Sequence, residues 1–224
     1  VAGWQGRDPF VNAFSLARLD ASGRLDADFA GGGWAVFEPE WISSVDSSFA
    51  AVELLRDGRI VLAGDYMDDQ GSYSRPFLAR FTPQGRADGS FGAEATPGYR
   101  LLQPRENYAW QRVTGLAVQN DGRLVYTATT NDSSPSSLGP AQFLAGRVLA
   151  DGTPDVGFGD AGVALLPTTG KNLFSDATAL TLQSGQAIVV GNNGFPAEGN
   201  PPMMVRGVAS RLQADVVFQD GLGG

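Results

Sequence analysis

The sequence predicts an all-β chain built from repeated four-stranded antiparallel sheets. Three observations point there. Two sequence elements recur in fixed order with one shared spacing. Apolar residues alternate where strands are expected, and no stretch sustains a helical period with caps. Glycine is abundant, 30 of 224 residues beside 13 prolines, as a chain with many tight turns requires.

The first element occurs at 17–33 (ARLDASGRLDADFAGGG), 79–95 (ARFTPQGRADGSFGAEA) and 146–162 (GRVLADGTPDVGFGDAG). Arg18, Arg80 and Arg147 correspond, as do Asp26, Asp88 and Asp155, and Phe29, Phe91 and Phe158, with steps of 62 and 67 residues in every set. A degraded fourth copy at 210–224 carries Arg211 a further 64 residues on, with Leu222 at the position of Phe158. The second element lies between these copies. It aligns 51–65, 116–129 and 180–192 on Gly58, Gly122 and Gly185, with steps of 64 and 63.

Each unit reads as four strands, in the first complete unit at roughly 48–55, 59–66, 76–82 and 99–103. Val52 and Leu54, Leu116 and Val118, and Leu180 and Leu182 alternate with polar or small residues. That is the mark of a half-buried strand, so these six are expected to be buried. Asp57-Gly58 and Asp121-Gly122 are hairpin signals, because glycine accepts the positive φ of a tight turn. The third unit has Ser184-Gly185 instead.

A sheet with two apolar faces cannot stand alone, and stacking units buries both. Four strands per repeat at this period resemble β-propeller blades. The expected architecture is a propeller-like array of about three complete repeats with partial repeats at both ends. Val1-Ala2-Gly3 matches Leu62-Ala63-Gly64, so the chain opens inside a strand whose hairpin mate is missing. Further blades are therefore expected as partners, on the parent chain, a cleaved partner or a second copy. The alternative is a closed form in which the two end fragments complete one another.

The pairing of LDASGRLDADFAGGG with RDGRIVLAG resembles the delta-60 repeat family, β-propeller-type repeats found mostly in bacterial exported and surface proteins. The resemblance spans nearly the whole chain and implies a secreted, periplasmic or cell-surface location. It implies no catalytic residues.

Composition removes several functions. Lys+Arg is 16 and Asp+Glu 24, a net charge of −8, which argues against a nucleic-acid partner. No apolar run approaches the roughly 18–20 residues that span a bilayer. Histidine and cysteine are both absent. That excludes Ser-His-Asp and Cys-His units, disulfides, iron–sulfur clusters and His- or Cys-ligated metals within this chain. Asp68-Asp69 with Gly71 fails the calcium-loop spacing, and Gly31-Gly32-Gly33 lacks the Lys-Ser/Thr of a phosphate loop. No cofactor, metal or catalytic residue is expected.

Strand parity sorts the connections. In an up-and-down sheet the Asp-Gly hairpins and the repeat-constant turns fall at one end, here called the bottom. The individual loops fall at the other, the top: 67–75, 130–141 and 193–203, and 38–47, 104–112 and 167–175. Varied loops on a rigid scaffold are where function concentrates. Candidate ligand-binding residues there are Trp41, Tyr66, Asp69, Tyr73, Tyr108, Trp110 and Phe174, whose aromatic faces suit a sugar or a protein anchor. The structural alternative has Trp41, Trp110 and Phe174 filling gaps between blades. The repeated Asp residues are expected to bond local backbone N–H groups, and the repeated Arg residues to pair with carboxylates or turn carbonyls.

Two functions survive: a non-catalytic module binding a protein or glycan through the top face, and a carbohydrate-active hydrolase or lyase using paired carboxylates. Glu38, Glu40, Glu106 and Asp69 are the carboxylates available to the second.

Overall fold

The computed structural model describes residues 2–8, 11–37, 47–67, 74–94, 96–102, 108–132, 142–166, 174–196 and 203–212. They form four antiparallel sheets, I to IV, in chain order. Sheet I holds β1 (Ala2–Asp8), β2 (Val11–Ala17) and β3 (Trp34–Phe37). Sheet II opens with β4 (Ser47–Leu54), β5 (Ile60–Met67) and β6 (Ser74–Phe81). A two-residue ladder of β7 (Gly92–Ala93) and β8 (Thr96–Pro97) follows, and then the fourth strand, β9 (Tyr99–Leu101). Sheet III holds β10 (Tyr108–Val118), β11 (Leu124–Asp132), β12 (Gln142–Val148) and β13 (Val163–Leu165). Sheet IV holds β14 (Phe174–Gln183), β15 (Gln186–Pro196) and β16 (Met203–Leu212). The described residues contain no helix.

Register identifies each strand's place in the repeat. Gly3 lies opposite Ser15 as Gly64 lies opposite Phe77, so β1 is a second strand. Sheet I thus carries strands two to four of its repeat and sheet IV strands one to three. The motif at 210–224 is described only through Leu212.

Strand β5 shows why the units stack. Ile60 through Asp65 are all buried, a continuous run rather than an alternation, because both faces of the sheet are covered. One face looks back: Ile60, Leu62, Phe77, Ala79 and Phe81 pack with Phe14, Leu16 and Phe29 of sheet I. The other looks forward: Val61, Ala63, Leu78 and Phe91 pack with Leu116, Leu124, Tyr126 and Leu144 of sheet III. Val125, Phe143, Ala145 and Phe158 then meet Ala177, Ala187, Val189 and Leu212 of sheet IV. Tyr126 sits directly opposite Gly146, and a Cβ on Gly146 would lie 2.0 Å from the Tyr126 ring. The bare glycine is the seat of the tyrosine.

First strands β4, β10 and β14 pack beside one another across successive sheets. Each carries a bulge at the same repeat position, at Ala50, Thr114 and Thr178, and β10 has a second irregularity between Tyr108 and Trp110.

The six alternating residues divide. Leu116 is buried, Val118, Leu180 and Leu182 are half-buried, and Val52 and Leu54 are 44% and 69% exposed. The expectation fails for Val52 and Leu54 for a specific reason. They share a face with Leu62 and Ile60, toward sheet I, which has no described first strand to cover them. Leu116 and Val118, at the same repeat positions, have β4 in front of them.

Candidate functional site

At the bottom, each constant Arg, Asp and Phe forms one compact unit. Arg80 Nε donates to Asp88 Oδ2 at 2.7 Å, and Arg147 Nε to Asp155 Oδ2 at 2.8 Å. The guanidinium carbons lie 4.6 Å above the Phe91 and Phe158 ring centres. The other carboxylate oxygen takes a local backbone amide, from Ser90 or Gly157. A second arginine, from the Asp-Gly hairpin, reaches the same carboxylates: Arg59 to Asp88 at 3.3 Å and Arg123 to Asp155 at 3.5 Å. Burial alone would raise the Asp88 pKa, but the Ser90 hydroxyl and amide and the Arg80 guanidinium overturn that and hold it down at about 2. Sheet I follows the pattern with Arg18, Asp26 and Phe29.

These units are junctions. Arg18 Nη1 donates to the Pro83 carbonyl of the next sheet at 2.8 Å, and Arg80 Nη1 to the Ala150 carbonyl. Ala30 N donates to Gln84 O, and Gly92 N to Asp151 O. Phe29 lies under Gly85 and Phe91 under Gly152, each so close that a Cβ on the glycine would come within 3 Å of the ring. The first two repeats therefore each plug a phenylalanine beneath the turn glycine of the repeat that follows. The expected local bonds of the Asp and Arg residues are present, and their service is to hold neighbouring blades together.

A different set of contacts sits at the top. Asp65, near the upper end of β5, accepts Ser48 Oγ at 2.9 Å and Ser74 Oγ at 3.4 Å. Ser74 Oγ is also 3.2 Å from the Gln111 carbonyl of β10, and Trp110 pairs with Ser74 in a single parallel bridge between sheets II and III. One repeat on, Thr129 Oγ1 accepts the Ala177 amide of β14 at 3.2 Å. The sequence carried no signal for this second link, because aspartate and threonine at one repeat position look like surface variation.

Burial raises the Asp65 pKa, only partly offset by Ser48, Arg112 and Ser74. A raised folded-state value means the unfolded chain gives up this proton first. The stability contribution is full below the unfolded pKa and is lost as pH rises through the folded one. Asp65→Asn is thus expected to leave stability near pH 3 unchanged and raise it near pH 7. Thermal melts across that range check this; a variant destabilised equally at both values would contradict it.

Of the candidate binding residues, Tyr66 is half-buried and packs at the sheet I–II core, 6.4 Å from the Phe77 ring centre. Tyr108, Trp110 and Phe174 lie in the upper ends of β10 and β14, and their side chains fall outside what is described. Trp41, Asp69 and Tyr73 lie outside the described residues, as do Glu38, Glu40 and Glu106. Among the described residues no cluster of three acidic side chains could hold a metal ion, and no helix is long and apolar enough to cross a membrane. A groove of about 510 Å³ runs at the bottom between the hairpins of sheets II and III, beside the Arg56–Asn120 hydrogen bond.

Residues 55–91 match the family model described as "Domain of unknown function (DUF5122) beta-propeller". The chain carries β-propeller repeats. The matched stretch runs from the Asp57-Gly58 hairpin through Arg80, Asp88 and Phe91, one whole junction unit of this propeller-like array. Comparison with curated proteins finds no match. Among solved structures, a thermostable family-43 glycoside hydrolase is similar at 11% identity and a TM-score of 0.45, over 94% of this chain and 69% of that one. An exo-1,5-alpha-L-arabinanase from a bovine ruminal metagenomic library is similar at 10% identity and a TM-score of 0.38, over 91% and 72%. Likeness at this level carries no chemistry across.

Proposed function

We propose that this chain is a non-catalytic binding module of an exported bacterial protein, taking a protein or glycan partner on the top face of a β-propeller. One observation supports this reading above the others. The repeat-constant Arg and Phe residues of sheets I and II reach into the next blade at the bottom, each Arg held by its own Asp, and sheet III repeats the Arg147–Asp155 pair with Phe158 packed against sheet IV. What differs from repeat to repeat lies at the other end, where loops on a rigid scaffold serve recognition. The bulges at Ala50, Thr114 and Thr178 agree with it, since bulges gather where a strand end is re-aimed toward a site. The exported setting rests on the repeat resemblance.

A glycan array with the whole chain, followed by product analysis on every glycan bound, tests the proposal. Saturable binding without product release is expected. Trp110→Ala should weaken binding at least about tenfold, whereas Arg56→Ala, at the opposite end, should leave it unchanged. Release of shortened sugar would instead support the paired-carboxylate hydrolase. Loss of binding with Arg56→Ala alone would place the site at the wrong end.

A further inference from the structure

The upper part of the gap between sheets II and III is short of protons. Asp65 on β5 and Ser74 on β6 lie there, 8% and 4% exposed. Gln111 and Thr130 of sheet III, each 0% exposed, come from the other side. Gln142, opposite Thr130 on β12, has its Oε1 buried with no hydrogen-bond partner among the described residues. One hydroxyl stands between the two sheets. Ser74 Oγ is 3.4 Å from Asp65 Oδ2 and 3.2 Å from the Gln111 carbonyl oxygen. A hydroxyl carries a single proton, so it serves one of these two acceptors well and not both.

The charge on Asp65 decides which. As a carboxylate, Asp65 only accepts. It draws the Ser74 proton, as it draws the Ser48 proton at 2.9 Å, and Ser74 then turns a lone pair toward the Gln111 carbonyl. As a carboxylic acid, Asp65 takes one proton from solvent and donates it to Ser74 Oγ. Ser74 is then free to donate its own proton to Gln111, and two hydrogen bonds in series join β5, β6 and β10.

The surroundings leave this choice to the Asp65 proton. β4 offers Ser48, β11 Thr130 and β12 Gln142, all neutral. Arg75 of β6 is paired with Tyr66, one place along from Asp65 and on the opposite face. Among the described residues the charge that bears on Asp65 is Arg112 of β10, and it offsets burial only in part. One repeat on, Thr129 lies opposite Arg112 as Asp65 lies opposite Ser48. Thr129 accepts the Ala177 amide, a link that does not titrate.

We propose that Asp65 and Ser74 form a proton-operated latch between sheets II and III, closed when Asp65 is protonated and open when it is ionised. It acts beside the Trp110–Ser74 bridge, where the backbones of the two sheets meet. Burial sets the folded Asp65 pKa above the ordinary carboxylate value of about 4. The latch therefore closes on mild acidification and opens as pH rises through the folded value. What the top face binds does not enter the argument.

Hydrogen exchange on the whole chain at pH 4 and pH 8, corrected for the intrinsic rate at each pH, tests this. Protection at the upper ends of β6 and β10 is expected to be about three- to tenfold higher at pH 4, the worth of one neutral hydrogen bond. The lower end of β10 and the upper end of β14 should not respond. Asp65→Asn, whose amide donates to Ser74 at either pH, should keep the higher protection throughout. Ser74→Ala, with no proton to pass on, should keep the lower. Thermal melts first establish that both variants are folded, and Asp65→Asn decides alone if Ser74→Ala is not. Three results would each overturn the proposal: equal protection of the parent at both pH values, an Asp65→Asn variant that follows the parent, or a response shared equally by β14.

Discussion

Replacing Phe91 by alanine is expected to destabilise the fold by about 3–5 kcal/mol, the usual cost of emptying a buried aromatic site. Phe91 is 1% exposed and sits where two sheets meet, under Gly152 and against Arg80. Its loss opens a cavity that neither sheet can close alone, since the backbone of each is fixed by its own ladder. It also strips the ring from beneath a guanidinium that is almost fully buried. Urea unfolding read by circular dichroism gives the number from the midpoint, provided the slope is unchanged. Leu25→Ala, at a residue 53% exposed, is the companion expected to cost under about 0.5 kcal/mol. Equal costs for the two would mean that the junctions do not hold the array together.

The second large effect compares two arginines of one motif. The Arg80 side chain is 3% exposed and the Arg18 side chain 39%. The difference has a structural origin: sheet II contributes Arg59 beside Asp88, whereas sheet I has no described first-to-second-strand hairpin to cover Asp26. Removing one partner of a buried pair leaves the other charge uncompensated, so Arg80→Ala should cost about 3–5 kcal/mol. Arg18→Ala should cost about 1 kcal/mol or less, because solvent screens the exposed pair.

The acid limb should separate them too. Asp88 is held at about 2, below its unfolded value. Its contribution is therefore present above about pH 4 and disappears as pH falls through 2, about 2 kcal/mol in all. Without Arg80 that loss should shrink. Melting temperatures of parent and variant from pH 7 to pH 2 would converge toward the acid end, and parallel curves would refute the assignment.

What was legible in the sequence was what depends on neighbours along the chain. The Asp-Gly hairpins, the constant turns and the alternation of ends follow from residues a few positions apart, and strands β4, β5, β6 and β9 stand within about two residues of their expected bounds. Features set by the facing sheet were hidden. Val52 and Leu54 alternate as faithfully as Leu116 and Val118 and are nevertheless exposed, because alternation names a face and not what lies in front of it. The bulges occupy Ala50, Thr114 and Thr178, residues with no common bulge signature. The Ser184-Gly185 departure has a local cause. Gln183 pairs directly with Gln186, a two-residue turn with positive φ at both Ser184 and Gly185. The loops between Leu54 and Ile60 and between Val118 and Leu124 are one residue longer than that between Leu182 and Ala187. That accounts for a step of 63 rather than 64. At the top, Asp65 was legible only as one more polar residue, and its link to β10 exists only once two sheets are set side by side.

The plug beneath the following glycine gives the chain a grammar for changing length. The first three repeats each carry a phenylalanine (Phe29, Phe91, Phe158) and a turn glycine (Gly23, Gly85, Gly152), so a gene that gains or loses one whole unit of sixty-odd codons among them keeps the ring-under-glycine junctions matched. A cut anywhere else strands a ring without a cover or a cover without a ring. Duplications that respect this frame need no compensating substitutions at the seam. The tolerated insertions then fall in the top loops, where a lineage can vary its surface while the bottom edge stays fixed.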